Sequence, residues 1–265
     1  MLRQTIAELI VLFFCYSVAG WCMEVILKYI QFHRFINRGF LIGPYCPIYG
    51  SGAVVVTVLV GGLIGNASYI VTFLASFVLC GVLEYFVSWY MEKMFHARWW
   101  DYSKKFLNIN GRVCLLGAVA FGAFSVVLVL FMHPFFEDKL SFITPEARDI
   151  LFWVLLALFV GDNVYTLIGF SPFNKLMGKI VTPSTSGMCK PEELEKNRAE
   201  ARELPDLTEL AELPVKLNYQ IKRMIRSFPA LKSTRYESVV DKLRDHMDEI
   251  DKRRKELKRK LKGKK

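Results

Sequence analysis

Paired cysteines, clustered histidines and nucleotide-binding loops are all missing from this 265-residue chain. Its six cysteines stand at 15, 22, 46, 80, 114 and 189 with no CxxC pair, and no histidine stands at metal-ligand spacing. A disulfide framework and a zinc site are therefore not expected, because thiols within apolar runs behave as small hydrophobes. No GxxxxGK[ST] stretch occurs, so any ATP hydrolysis has to come from a separate chain. HExxH, GxSxG and aspartate-rich metal motifs are missing as well, which leaves catalysis, cofactors and metals without a signature. The first apolar run lacks a small-x-small cleavage site and carries Glu8 and Glu24. It reads as a retained membrane anchor and not as a signal peptide.

What the chain has in excess is apolar length. Hydrophobic residues make up 53% of it, and five runs reach the roughly 20 residues that a hydrocarbon core of about 30 Å requires. They fall at about 5–29, 47–66, 68–90, 111–132 and 149–170. Lys28, Arg34 and Arg38 follow the first run, and Lys93, Arg98, Lys104, Lys105 and Arg112 lie between the third and fourth. The turn near Asn66-Ala67-Ser68 is uncharged, and 133–149 has four acids against two bases. The positive-inside rule then puts the N-terminus outside and the C-terminal tail in the cytoplasm. The predicted fold is an all-α membrane protein of five spans over 1–170, followed by a helical cytoplasmic tail over 171–265. The tail carries 24 basic and 15 acidic residues, against 11 and 10 before it, and so holds nearly all of the net charge of +10.

Within the tail, residues 214–229 place Leu217, Ile221, Met224 and Phe228 on one helical face and Lys216, Lys222, Arg223 and Arg226 on the other. Such a helix either lies on an anionic leaflet or packs under the protein's own loops. Heptads over 236–261, with Val240, Met247 and Leu261 at one core position and Tyr236, Leu243, Ile250 and Leu257 at the other, suggest a coiled coil that could make a homodimer. The aromatic group Phe95, Trp99, Trp100 and Tyr102 suits an interfacial belt better than a stacking platform for nucleic acid, which is not an expected partner.

The stretch 37–52, NRGFLIGPYCPIYGSG, concentrates polar and conformationally unusual residues at one membrane face. Gly39, Gly43 and Pro44 offer backbone, and Cys46 and Pro47 mark a helix start. With Arg38 beside them they form a place for negative charge. Glu24, Glu84, Asp162 and Asn163 all fall in the cytoplasmic half of their spans by residue count. A weak internal repeat joins them: Glu24, Arg38 and Cys46 in the first pair of spans, and Glu84, Asn110, Gly111, Arg112 and Cys114 in the second. Both pairs have the same topology, so an axis along the membrane normal would relate them.

Two readings follow from these acids. Glu24 and Glu84 could pair with Arg112 and Arg38 and fix the bundle. Alternatively they could surround a cavity open to the cytoplasm that holds an ion, a proton or a headgroup. Asp101, outside the bilayer, suits a turn, and His33, His96 and His133 read as isolated headgroup-level residues.

The runs GWCMEVI at 20–26, NRGFLIGPYCPIYGSGA at 37–53 and WWDYSKKFLNINGRVCLLG at 99–117 resemble the bacterial family of putative ABC-transporter permeases of CmpB type. IRSFPALKS at 225–233 resembles the tail of longer members. The resemblance implies a multi-pass protein of the bacterial inner membrane that transports, with a separate ATPase subunit, and a dimer to complete a pathway. Two other readings stand beside it. One is a scaffold whose basic tail binds anionic lipid or a partner, and the other is a membrane enzyme acting on a lipid headgroup.

Overall fold

A computed structural model describes residues 2–63, 68–173, 219–234, 240–245, 247–250 and 252. The chain divides into two compact units, one of residues 1–91 and 100–168, the other of 92–99 and 169–265.

The regular elements described in the first unit are helices joined by loops. Its elements are α1 (Leu2–Phe32), α2 (Pro47–Val56) continued by a π-helical segment (Thr57–Leu63), and α3 (Tyr69–Phe95), whose last turn enters the second unit. After them come α4 (Leu115–Val127), a second π-helical segment (Leu128–Met132), α5 (His133–Ser141) and α6 (Pro145–Phe170). Among the described residues, four helical stretches are long and apolar enough to cross a membrane: Ile6–Phe32, Tyr69–Phe95, Leu115–Ser141 and Pro145–Phe170. The run expected as the second span is a shorter apolar helix, Pro47–Val60, and the far end of that expected span lies outside the described residues.

The connection expected over 133–149 is the largest departure from the sequence reading. Residues 133–141 are helical, so the non-helical link to α6 shrinks to Phe142, Ile143 and Thr144. The reason is local. The wider π register delivers the His133 N–H to the Leu128 carbonyl, and Pro134, at the start of α5, lacks the N–H that an ordinary turn would require. A polar, proline-containing string thus continues a helix.

The packing is that of a chain in lipid. Only 6% of the most apolar window of α6 is buried within the protein, and Ile70, Val82, Leu116 and Ile168 are widely exposed. In water such surfaces would collapse or aggregate, whereas in hydrocarbon they cost nothing and the helices satisfy their own backbone groups. What is buried is aliphatic or aromatic. Val11, Leu12, Tyr16 and Ala53 pack with Leu151 and Leu155, and Phe14, Leu41 and Tyr45 with Phe159. Val56, Val60 and Cys80 pack with Phe121 and Val129.

Glycine sets the closest crossing. A Cβ on Gly50 would stand 2.1 Å from Ser17 Oγ and 2.5 Å from the Phe13 carbonyl, and one on Gly20 would stand 2.5 Å from the Tyr49 side chain. Only hydrogen at these positions lets α1 and α2 meet so closely.

The second unit is built around residues the sequence reading assigned elsewhere. β1 (Ala97–Arg98) pairs antiparallel with β2 (Lys232–Ser233), Ala97 opposite Ser233. Phe95 and Trp99, expected in an interfacial belt, are buried against Phe170, which stacks on Phe173 at 4.7 Å. The amphipathic stretch forms α7 (Tyr219–Ser227), and its apolar residues Ile221, Met224 and Ile225 are buried while Lys222 and Arg226 are exposed. Its apolar face is thus covered by protein and not free to enter a leaflet. Of the heptad residues, Val240, Leu243 and Met247 are buried in this chain and Ile250 is exposed. Tyr236, Leu257 and Leu261 lie outside the described residues.

Candidate functional site

The loop after α1 is organised by two residues, one of which the sequence reading did not single out. Asn37 Oδ1 accepts from Trp21 Nε1 at 2.7 Å and from the Gly39 N–H at 3.3 Å, while its Nδ2 donates to the Ile42 carbonyl at 3.1 Å. Asp162, from α6, supplies the anion for which the glycine-rich loop was suited. Its Oδ1 accepts from the Ile42 N–H at 3.0 Å and from Thr166 Oγ1 at 3.1 Å. Its Oδ2 accepts from the Gly43 N–H and from the Tyr45 hydroxyl, both at 2.8 Å. Two main-chain donors and two hydroxyls satisfy this carboxylate without an arginine. Burial first, then the hydrogen bond to Asp162 and its charge, hold the Tyr45 phenol well above the ordinary phenol range. Asn163 turns away to its own helix, donating to the Phe159 carbonyl at 2.7 Å.

Glu24 is compensated by its own half of the chain. Arg38 Nε donates to its Oε2 at 3.3 Å, and the Tyr49 hydroxyl donates to its Oε1 at 2.6 Å. The expected crosswise pairing of Glu24 with Arg112 does not form. Arg112 instead lies over the Tyr85 ring at 5.4 Å, and its carbonyl accepts from Trp100 Nε1 at 2.9 Å.

Glu84 is different in kind. It is 5% exposed, its Oε1 accepts from the Tyr102 hydroxyl at 3.3 Å, and its Oε2 is buried with no hydrogen-bond partner among the described residues. A buried carboxylate oxygen without a donor is costly. The two glutamates bear on one phenol. Tyr102, outside the spans, is held protonated far above its ordinary range by burial first, then by the Glu84 charge and hydrogen bond, with Cys114 and Glu24 adding to it. Burial also pushes the Cys46 thiol up to about 12, with Glu24 raising and Arg38 lowering it.

The helices that follow the two loops begin alike. Cys46 precedes α2 and Cys114 precedes α4, both with extended backbone and neither with a side-chain cap. Asn110 and Gly111 form a tight turn at φ 52° and 67°, where Arg112 donates its N–H to the Ile109 carbonyl at 3.0 Å. That left-handed pair is what an Asn-Gly turn supplies, so these residues shape the loop without starting a helix. Asp101 Oδ1 accepts from the Ser103 N–H at 3.0 Å, a local turn. His33 and His96 also serve the backbone. At φ 50° and 49° they end α1 and α3, donating to the Tyr29 and Glu92 carbonyls, as residues just past helix C-termini do.

A cavity of about 570 Å³ opens beside the glutamates, between α1 and α4 and floored by α2 and α3. Its walls are almost wholly apolar, with Glu84 and Tyr49 at one part and Tyr16 at another. Tyr16 belongs to a second polar cluster that sequence reading missed, because His133 was read as isolated. The Tyr16 hydroxyl lies 2.7 Å from His133 Nδ1, and His133 Nε2 lies 3.3 Å from Glu137. Glu8 pairs with Arg148. The tyrosines at 45, 49 and 102 were also missed, although Tyr45 and Tyr49 stand four apart around the helix start and Tyr102 follows Asp101. Among the described residues no group of three or more His, Cys, Asp or Glu could hold a metal ion.

Compared with curated proteins and with solved structures, the chain matches none. Its residues 11–167, which contain all five apolar helical stretches apart from their outermost turns and every polar group of the cluster around Glu24 and Glu84, match the family described as putative ABC-transporter type IV. The chain belongs to that family.

Proposed function

We propose that this chain is the permease subunit of a transporter and that its charge-handling centre is the cluster of Glu24, Arg38, Tyr49, Glu84 and Tyr102 at the cytoplasmic end of the spans. The solute is an ion or a small charged molecule. The observation that carries the reading is the unequal treatment of two acids placed alike in the chain. Glu24 has an arginine and a tyrosine, whereas Glu84 has one tyrosine and a bare oxygen beside a cavity. A bundle held together by ion pairs has no use for the second arrangement, because an uncompensated acid at membrane depth is costly and persists where it serves a task.

In this reading Pro47–Val60 is a fifth crossing, short or locally thinned, so that α1 and α3 both run from outside to inside. The two helix pairs then form parallel repeats, each with a glutamate, an arginine and a cysteine-preceded helix that turns π-helical in its outer half. The N-terminus lies outside, the basic tail lies in the cytoplasm of a bacterial cell, and ATP is hydrolysed by a separate chain. Two copies complete the pathway.

The test is co-purification of the tagged, detergent-solubilised protein. An ATP-hydrolysing subunit should be recovered with it, and complexes carrying Glu84→Gln or Glu24→Gln should assemble but lose their coupled ATPase response. A homodimer with no ATPase would overturn the ABC-type reading. Full activity in both variants would remove the glutamate cluster from the mechanism.

A further inference from the structure

The cavity beside Glu84 specifies more than charge. A metal ion or an alkali cation needs several oxygen ligands, and the cavity offers mostly carbon, four sulfur-bearing side chains, three scattered hydroxyls and aromatic rings around a single carboxylate. An anion would meet Glu84 with no arginine among that residue's partners. A wholly apolar molecule would fill the volume but leave the Glu84 carboxylate in its lining without a counter-charge. We infer that the cavity binds an organic cation with an apolar body, its charge placed towards Glu84 and its body against the aromatic wall. This rests on reading the glutamate cluster as a solute site and names the solute class.

Three features converge on that occupant. The volume of about 570 Å³ lies within the roughly 300–1,000 Å³ that small-molecule sites occupy. Tyr16, Tyr49, Phe121 and Phe124 line it, and aromatic faces attract cations most where water is excluded. Its rim includes Ile26, Leu27 and Phe124, which are widely exposed on the apolar surface. An amphipathic cation concentrated in the bilayer can therefore reach the cavity from the side.

The nearest charge balance supports the same occupant. Arg38 already serves Glu24, and Arg112 lies on Tyr85. In the first turn of α4, a Cβ on Gly117 would stand 3.8 Å from Oε2. None of these gives Oε2 a hydrogen bond.

Tetraphenylphosphonium and tetraphenylborate share a shape and differ in the sign of their charge, which makes them the probes of choice. Binding of each is measured by equilibrium dialysis to the full chain in phosphatidylcholine nanodiscs, with empty nanodiscs subtracted. Saturable binding of the cation and none of the anion is expected, with affinity falling on the order of tenfold or more in Glu84→Gln, as loss of one desolvated charge partner implies. Gly52→Ala is the second variant. A Cβ there meets Cys80 and Leu83 at 3.6 and 3.7 Å, an ordinary contact, so it takes up room at the floor, leaves the carboxylate intact and should also weaken the cation. Equal binding of both probes, undiminished cation binding in folded Glu84→Gln, or no saturable binding at all overturns the proposal. Because no ATPase enters this measurement, such a result leaves the permease reading to stand or fall on co-purification.

Discussion

At the scale of single residues, the consequential contrast is between Asp162 and Glu84. Both are acids inside spans, yet Asp162 is used up by the loop it holds. Hydrogen bonds to a charged acceptor contribute about 1.5–3 kcal/mol each, and Asp162 accepts four. Asp162→Asn replaces one acceptor oxygen with an N–H that faces other donors. It should lower stability by about 2–4 kcal/mol and expose the 33–46 loop to protease, both measurable on the purified protein. Unchanged melting and cleavage would show that the loop holds itself. Cysteine reactivity tests a second local environment. With its thiol pushed up to about 12 from 9.0, buried Cys46 should stay unmodified by N-ethylmaleimide at pH 8 in the native protein and be alkylated once the chain is denatured. The native state keeps the Cys46 proton that the unfolded chain gives up. Its contribution to stability is therefore complete below about pH 9 and declines as pH rises towards 12, which a melting series across that window would read.

At the scale of elements, glycine decides how helices meet. Gly50 and Gly20 sit where any Cβ would strike the neighbouring helix or its side chain, whereas Gly81 and Gly161 have nothing within 4 Å. Gly50→Ala should therefore destabilise by about 1–3 kcal/mol, the usual cost of overpacking. Gly81→Ala should stabilise by up to about 1 kcal/mol through helix propensity alone. Thermal unfolding of the two variants in one detergent gives opposite shifts if the crossing is as described, and shifts of the same sign would refute it. Sequence periodicity could place these glycines on helices but could not say which faced a partner. The same limit applies to α7. Its two-faced pattern is plain in the sequence, but whether lipid or protein covers the apolar face is set by tertiary packing, which no local pattern encodes.

At the scale of the whole molecule, charge asymmetry predicts orientation. In intact cells, a cysteine placed by Asp138→Cys should react with an impermeant maleimide, and one placed by Lys104→Cys should react only after the membrane is opened. The reverse pattern would invert the topology and move the glutamate cluster to the outer face.

Helical membrane character and family membership were legible in the order of residues alone, because hydropathy over about 20 residues and short polar motifs are local quantities. Which partner each acid takes was not. The Asp162 carboxylate reaches a loop 119 residues away in sequence, and Glu24 chooses Arg38 over Arg112. Such choices depend on distances that only packing sets. The polar proline-containing stretch at 133–141 read as a loop and is a helix, since a π register five residues long absorbs the missing N–H of Pro134. The bare oxygen of Glu84 was likewise invisible: an unsatisfied atom is defined by what fails to come near it, and that is decided only when the whole bundle has closed.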